Sequence, residues 1–357
     1  MKKKSVLFIV LALCIALAVL WLLQELLLPK YMWDIQEGAM IQEYYDEAGD
    51  HDVIFIGNCE VYENFSPVTL WEEYGITSYI RGSPQQMIWQ SYYLMEETLK
   101  YETPEVIVFD VLSMKDGTPA STGNATQREA YNRMSLDGMR WSSSKIDSIR
   151  ASMTDGEKES GGMLLYLFPI LRYHDRWSDL TMEDLRYLFQ KDTFTHNGYL
   201  MQVGIKGVEN EHVEKPLKDY TFHENSYYYL DKMVQLCEAN GVELVLIKAP
   251  SLSPVWWDQW DQQMVDYAAE KGLTYIHLLD YQDEIGIDWS YDTYDTGLHL
   301  NVYGAEKLSV YFGQILAEEF GVTDHRSNPE LSTLWAKKAD AYYSQKAQLE
   351  AERDSAQ

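Results

Sequence analysis

A chain of 357 residues, 46% of them hydrophobic, has room for a membrane segment plus one large or two small domains. Its net charge of −27 leaves no basic face for phosphate, which argues against a nucleic-acid partner. Three cysteines are too few for a small disulfide scaffold, so a packed core must hold the fold.

The first predicted element is a membrane anchor. Lys2, Lys3 and Lys4 precede "VLFIVLALCIALAVLWLL", Val6 to Leu23, an uncharged apolar run of 18 residues. After Glu25 the run extends to Pro29. A bilayer core needs about 20 apolar residues as helix. The lysines predict a cytoplasmic N-terminus, hence a single-pass plasma-membrane protein with its main domain outside the cytoplasm. A cleaved signal peptide would have a shorter apolar core, about 7–15 residues, followed by a small-x-small site. The flank "QELLLPKYM" has no such site. Residues 1–28 carry three lysines and one glutamate, so the remaining 26 basic and 55 acidic residues give the rest a net −29. Such an acidic surface keeps an exported domain dispersed.

Residues 31–50 read as a juxtamembrane helix and a turn. Strands follow at Val53 to Ile56, Val106 to Phe109, Val242 to Ile247 and Tyr275 to Leu279. Each run is short, β-branched and continuous rather than alternating, as in parallel strands covered on both faces. Helices are expected at Gln85 to Tyr101, Tyr227 to Asn240 and Trp257 to Lys271, with Gly241 and Gly272 at the C-terminal capping positions. The alternation predicts an α/β fold, a doubly wound and mainly parallel sheet. It breaks between about Met114 and Phe222, a stretch too long for a single-helix crossover. That stretch reads as a mostly helical insertion capping one sheet edge, or as a second small domain. The boundaries are then an anchor at 1–29, a juxtamembrane segment at 30–50, an α/β domain at 51–323 with the insertion at about 114–222, and a tail at 324–357. From Asn328 the tail reads as an exposed helix that frays.

Ligands of open α/β sheets gather at the carboxyl ends of the strands. Three segments should converge there: "GNCE" after the first strand, "IRGSPQQ" before a helix, and "DTYDTGLHLNVYGAEKLS" before the last helix. Cys59 on a strand-to-helix turn would present its thiol together with its own backbone N–H. Gly82 would add a second N–H with no side chain in the way. Asp295 lies close enough to His299 to fix its tautomer and stabilise its imidazolium form, with Asp292 as the fallback. Taken singly, each of these is also an ordinary turn.

Together they resemble the SGNH/GDSL hydrolase superfamily. "DVIFIGNC" is similar to its first block, with Asn58 and Cys59 in place of Asp and Ser. "RGS" supplies Gly82, and "DTGLHLNVYGAEK" is similar to the last block. The "HLN…GA.K" context is particularly like a bacterial cell-surface branch, which includes the D-alanine-transfer proteins of teichoic acid synthesis and the alginate O-acetylation proteins. The resemblance covers residues 50–115 and 225–320. It implies a flavodoxin-like three-layer fold and acyl chemistry on an acylated glycan or cell-wall polymer, through Cys59, His299, Asp295 and the N–H of Gly82. Three features depart from the family. The nucleophile position is a cysteine, the Asp–His spacing is one residue longer, and Asp110 stands near where an oxyanion asparagine belongs.

Asn58, Arg81, Ser83, Asp110, Lys248 and Asn301 are expected around the substrate. Ser66 and Ser251 lie near, and Asn132 and Arg133 could meet an anionic or sugar group. The tryptophans of "PVWWDQWD" either line a carbohydrate groove or pack. The eight histidines have no paired spacing, so no metal site and no cofactor is expected. The expected function is a membrane-anchored esterase or O-acyltransferase. The alternative is a catalytically degenerate scaffold that binds glycan or partners a membrane acyltransferase. A Cys59–Cys237 disulfide is the remaining use of the two exported cysteines. Against it, Cys237 sits where a helix runs into a strand, a place for a small buried side chain.

Overall fold

The computed structural model describes residues 3–29, 34–47, 49, 51–119, 125–209 and 213–356. The expected cytoplasmic tip at 1–2, the start of the juxtamembrane segment at 30–33, and parts of the insertion at 120–124 and 210–212 lie outside these. Helix α1 (Lys3–Leu27) is long and apolar enough to cross a membrane, and its apolar run is uncovered by the rest of the chain. At 1.5 Å per residue it is about 37 Å long, against a hydrocarbon core of about 30 Å. Helix α2 (Gln36–Glu47) follows.

Five strands form one all-parallel sheet: β1 (Val53–Gly57), β2 (Ser78–Gly82), β3 (Val106–Asp110), β4 (Glu243–Lys248) and β5 (Thr274–His277), in the order β2-β1-β3-β4-β5. The continuous apolar runs now have a reason. Val53, Phe55, Val106, Val108, Val245 and Ile247 belong to one apolar cluster, while Ile54, Ile56, Ile107, Phe109, Leu244 and Leu246 belong to another. Successive side chains point to opposite faces, so a strand buried on both sides has no polar alternation. The first cluster includes helices α4 (Pro67–Tyr74), α15 (Val302–Glu318) and α16 (Pro329–Ala356). The second includes α5 (Ile88–Thr98), α12 (Glu224–Asn240) and α13 (Asp258–Lys271). Gly241 and Gly272 close α12 and α13 in the left-handed conformation, at φ 68° and 70°.

Strand β2 was not apparent from the sequence, because Arg81 interrupts it. In the fold Arg81 is buried, ion-paired to Glu97 of α5 at 3.0 Å, and lies over the Tyr44 ring at 3.9 Å. The pairing lets a charge sit inside a sheet. Among its described residues the insertion has six short helices: α6 (Ala125–Leu136), α7 (Ser143–Ser152), α8 (Asp155–Glu159), α9 (Gly162–Leu167), α10 (Ile170–Tyr173) and α11 (Met182–Tyr187). Its last part braces the β2 edge: the Ile80 N–H donates to Asn197 O at 2.9 Å, and Asn197 Nδ2 donates to Ser78 O at 3.0 Å. Gly198 makes this approach possible, since a Cβ there would meet Ile80 O at 2.0 Å.

The tail departs from expectation. Helix α16 is docked on the core. Trp335 is 2% exposed and stacks on Trp71 with centroids 5.3 Å apart, and Tyr342 is buried beside it. Lys346 pairs with Glu306 at 2.7 Å, and Arg353 donates to Val203 O at 2.9 Å. Removing a buried tryptophan costs about 3–5 kcal/mol. Trp335→Ala should therefore lower the unfolding free energy by that amount in a denaturant titration; a loss of under about 0.5 kcal/mol, as on a surface helix, would contradict the docking.

Candidate active site

Cys59 opens the one-turn helix α3 (Cys59–Tyr62), directly beyond the carboxyl end of β1. Gly57 permits the sharp exit, because a Cβ there would meet Val61 Cγ2 at 2.3 Å. Asn58 caps the turn: its Oδ1 accepts the Glu60 N–H at 3.1 Å. The half-buried Cys59 and His299 line one cavity of about 610 Å³. Gln85, Gln86 and Met87 of the β2–α5 loop, Lys115, and Tyr131 and Asn132 of the insertion complete much of its wall.

His299 lies in the loop between the one-turn helix α14 (Gln282–Ile285) and α15, held at both its backbone and its ring. Asp295 Oδ1 accepts the His299 N–H at 2.9 Å, and Asp295 Oδ2 binds Nδ1 at 2.7 Å. Next to it, the Leu300 N–H donates to Asn64 Oδ1 at 2.9 Å, tying this loop to the chain just after α3. The extra residue between Asp295 and His299 is absorbed by a turn in which Thr296 and Gly297 both have positive φ, 67° and 89°. Asp292 is engaged elsewhere: it binds Lys307 at 2.6 Å and accepts the Asp288 N–H.

With Nδ1 committed, Nε2 is the remaining ring nitrogen; it is buried and, among the described residues, has no partner at hydrogen-bond distance and angle. Burial pulls the His299 pKa down, but Asp295, Cys59 and Glu63 outweigh it and push the ring up to about 11. Cys59 contributes both through a side-chain hydrogen bond and through charge. Cys59 is thus near enough to His299 for its charge to act on the ring.

Glu63 and Tyr294 also belong to the site, and sequence reasoning did not single them out. Glu63 lies 3.4 Å from His299 Nδ1, and Tyr294 OH donates to it at 2.6 Å. The Tyr294 ring stacks on His299, 6.0 Å between centroids. One signal was available: Glu63 is four residues after Cys59, the spacing that puts two side chains on one helical face. Burial drives the Glu63 pKa up to about 7, against the pull of His299 and the Tyr294 hydrogen bond.

Of the other expected residues, Asn58 and Asn132 line the cavity with Cys59 and His299. Gly82 sits on β2 in register with Gly57, packed under Tyr62, and Gln85 of the following loop reaches the cavity wall instead. Arg81 points into the α2–α5 side, as described, and does not line the cavity. Ser83 is buried, bonded to Gln86 and to Ser135 at 2.6 Å. Asp110 accepts the backbone N–H groups of Leu112 and Ala249, clamping β3 to β4; burial and Glu60 raise its pKa to about 7. Lys248 is buried against Glu60 at 2.6 Å, and Ser251 bonds the same carboxylate at 2.7 Å. Asn301 caps α15, accepting from Tyr303 and Gly304. Ser66 likewise caps α4. Asn132 is bonded to Gln90 and Ser152, and Arg133 to Glu129 and Asp137. Trp256 and Trp260 stack on Phe222 and pack in the core. Cys59 and Cys237 are both free thiols, and Cys237 is buried beside Met95.

The chain matches no family profile and no curated protein sequence. What distinguishes it is the site: a half-buried thiol, an imidazole held by a carboxylate, and a cavity lined by polar and apolar groups alike.

Glu63 has a thermodynamic signature. Its pKa rises from 4.5 to about 7 on folding, so the native state holds the proton more tightly and this group's stabilisation is lost as pH rises across that interval. Glu63→Gln should therefore gain on the parent from below about pH 4.5 to above about pH 7, by on the order of 3 kcal/mol. Denaturant titrations at several pH values measure it; a constant difference between the two proteins would contradict the assignment.

Proposed function

We propose that the chain is a membrane-anchored acyl esterase or O-acyltransferase of SGNH type, acting on an O-acyl group of a cell-envelope glycan or similar polymer. The observation that carries this is the pair of hydrogen bonds that Asp295 accepts from the backbone N–H and Nδ1 of His299, which commits Nδ1 and leaves Nε2 free for chemistry at the cavity that His299 and Cys59 line together. Asp295 fixes the tautomer and supports the imidazolium, as an orienting carboxylate does. Strand order β2-β1-β3-β4-β5 with helices packed on both faces supports a doubly wound, flavodoxin-like reading. The cavity at the carboxyl end of β1 is where that reading places a ligand. Helix α1 supports the anchor, and Lys2, Lys3 and Lys4 before it favour a main domain on the extracytoplasmic side.

In this reading His299 takes or holds the Cys59 proton, and the thiolate attacks the ester carbonyl carbon. The tetrahedral oxyanion rests on the Cys59 N–H. The alkoxide leaves with a proton from His299, giving a thioester. Water or a glycan hydroxyl, deprotonated by His299, then attacks the thioester and releases Cys59. The polar wall of Asn58, Gln85 and Tyr131 suits a hydroxyl-rich acceptor.

One observation favours a second reading, a binding scaffold that works beside a membrane acyltransferase. Neither Gly82 nor Asp110 reaches the cavity wall, so a second oxyanion donor is missing from the expected places.

An activated acetyl ester such as p-nitrophenyl acetate separates the two. The proposal expects one acetyl group on Cys59 by intact and peptide mass, none in Cys59→Ala, and at least a 100-fold slower acylation in His299→Ala, the usual scale of a general base. Equal acylation of parent and His299→Ala would favour the scaffold.

A further inference from the structure

Helices α9, α10 and α11 expose large apolar side chains that no part of the described chain covers. Phe189, just beyond α11, is 86% exposed, Met182 78% and Trp177 67%, with Leu164, Phe168 and Leu171 also exposed. A soluble surface rarely leaves this many large apolar groups exposed within so short a stretch.

Their position says what covers them. The segment is seated on the C-terminal end of α1. Leu28 is buried with Tyr173 and Tyr187, and the Arg176 guanidinium donates to Leu27 O at 2.9 Å and to Leu28 O. Lys191 pairs with Glu25 at 3.3 Å. Trp21 of α1 and Trp141 line one cavity of about 250 Å³, and the Trp141 ring packs on Phe168, 5.5 Å between centroids. Among the described residues the three exposed tryptophans are Trp21, Trp141 and Trp177. Tryptophan is enriched where hydrocarbon meets headgroups. Trp21 stands near the end of the apolar run, so it marks that level on α1.

We infer that the α9–α11 segment is a membrane-interface platform. It lies in the headgroup and upper acyl region of the leaflet from which α1 emerges, with its apolar side chains in lipid. This deepens the anchor reading and rests on it. Apolar side chains at such a depth, about 5–10 Å below the headgroups, gain their burial from lipid. Two attachments, a spanning helix and a platform, would fix the height and tilt of the catalytic cavity over the bilayer. The insertion that carries the platform also supplies Tyr131 and Asn132 to the cavity wall.

The test uses the full chain in phosphatidylethanolamine–phosphatidylglycerol vesicles doped with a photoactivatable phospholipid. One probe carries its diazirine high on the acyl chain, the other at the chain end, and adducts are mapped by peptide mass. The expected result is that the shallow probe labels both the segment at 162–189 and the end of α1, while the deep probe labels α1 alone. Trp177→Asp with Phe189→Asp should lower shallow labelling of the segment at least fivefold and leave α1 labelling and thermal unfolding unchanged. A lowered unfolding midpoint with labelling unchanged would mean an intramolecular role and would overturn the platform. Label on α1 with none on 162–189 overturns the platform and leaves the anchor standing. Label on neither overturns both, and label on the segment alone keeps the lipid contact but removes the anchor. Chemical cross-links joining 162–189 of two copies, with no lipid adduct there, would assign the face to a second chain instead.

Discussion

Beneath Cys59 lies a buried polar latch on which the site geometry depends. Lys248 at the end of β4 binds Glu60, the residue after Cys59, at 2.6 Å, and Ser251 binds the other oxygen of the same carboxylate. Asp110, at the end of β3, takes the Ala249 N–H. Three neighbouring strand ends are thereby joined under the turn that presents the thiol. Removing charges from water is expensive, and a buried pair is tolerated only with good geometry and its remaining atoms bonded. Here Lys248 also donates to Ala249 O and Ser251 Oγ, so its three protons have acceptors. One lysine serves two buried carboxylates, and the raised pKa of Asp110 is the result of burial and of Glu60 beside it.

Above the latch, the electrostatics favour an imidazolium. His299 has two carboxylates near Nδ1, Asp295 at 2.7 Å and Glu63 at 3.4 Å. They are not equivalent. Asp295 is hydrogen-bonded by the ring and by the His299 backbone, and its pKa lies below the ordinary value although burial opposes this. Glu63 is buried, shares its proton economy with Tyr294, and titrates near neutrality. The pair gives the ring a permanent counter-charge and a second one that depends on pH. A thiol, unlike a serine hydroxyl, can supply its own negative charge to such a ring, which gives the cysteine at this turn a physical logic.

Much of this was legible in the sequence, for identifiable reasons. Strands β1, β3 and β4 declared themselves through continuous apolar runs, because both faces of each are covered, and β5 through a run that lies half-buried at the sheet edge. The glycine caps located the ends of α12 and α13. Cys59, Asp295 and His299 stood in turns next to those elements. What escaped depended on partners distant in sequence. Arg81 looked like a cleft ligand, since nothing local announced Glu97 and Tyr44 as its neighbours. Ser83 and Lys248 were read as substrate contacts for the same reason, since Ser135 and Glu60 lie far off in sequence, whereas Asn301, read the same way, caps α15 through the nearby Tyr303 and Gly304. The α16 stripe, Leu331, Trp335, Ala339, Tyr342 and Leu349, was masked by the charged residues around it. Its spacing of three, four and seven residues is nonetheless that of a helix with one buried face.

The central claim is that Cys59 and His299 act as one charge-coupled unit. The most direct measurement is the rate of Cys59 alkylation by iodoacetamide against pH, with the modified cysteine identified by peptide mass. A free thiol loses reactivity about tenfold per pH unit below its titration range, because the thiolate is the nucleophile. The account predicts a nearly level rate between about pH 8 and about pH 6 in the parent, and the tenfold-per-unit fall in His299→Ala. Coincident curves for the two proteins, or a free-thiol fall in the parent, would contradict it.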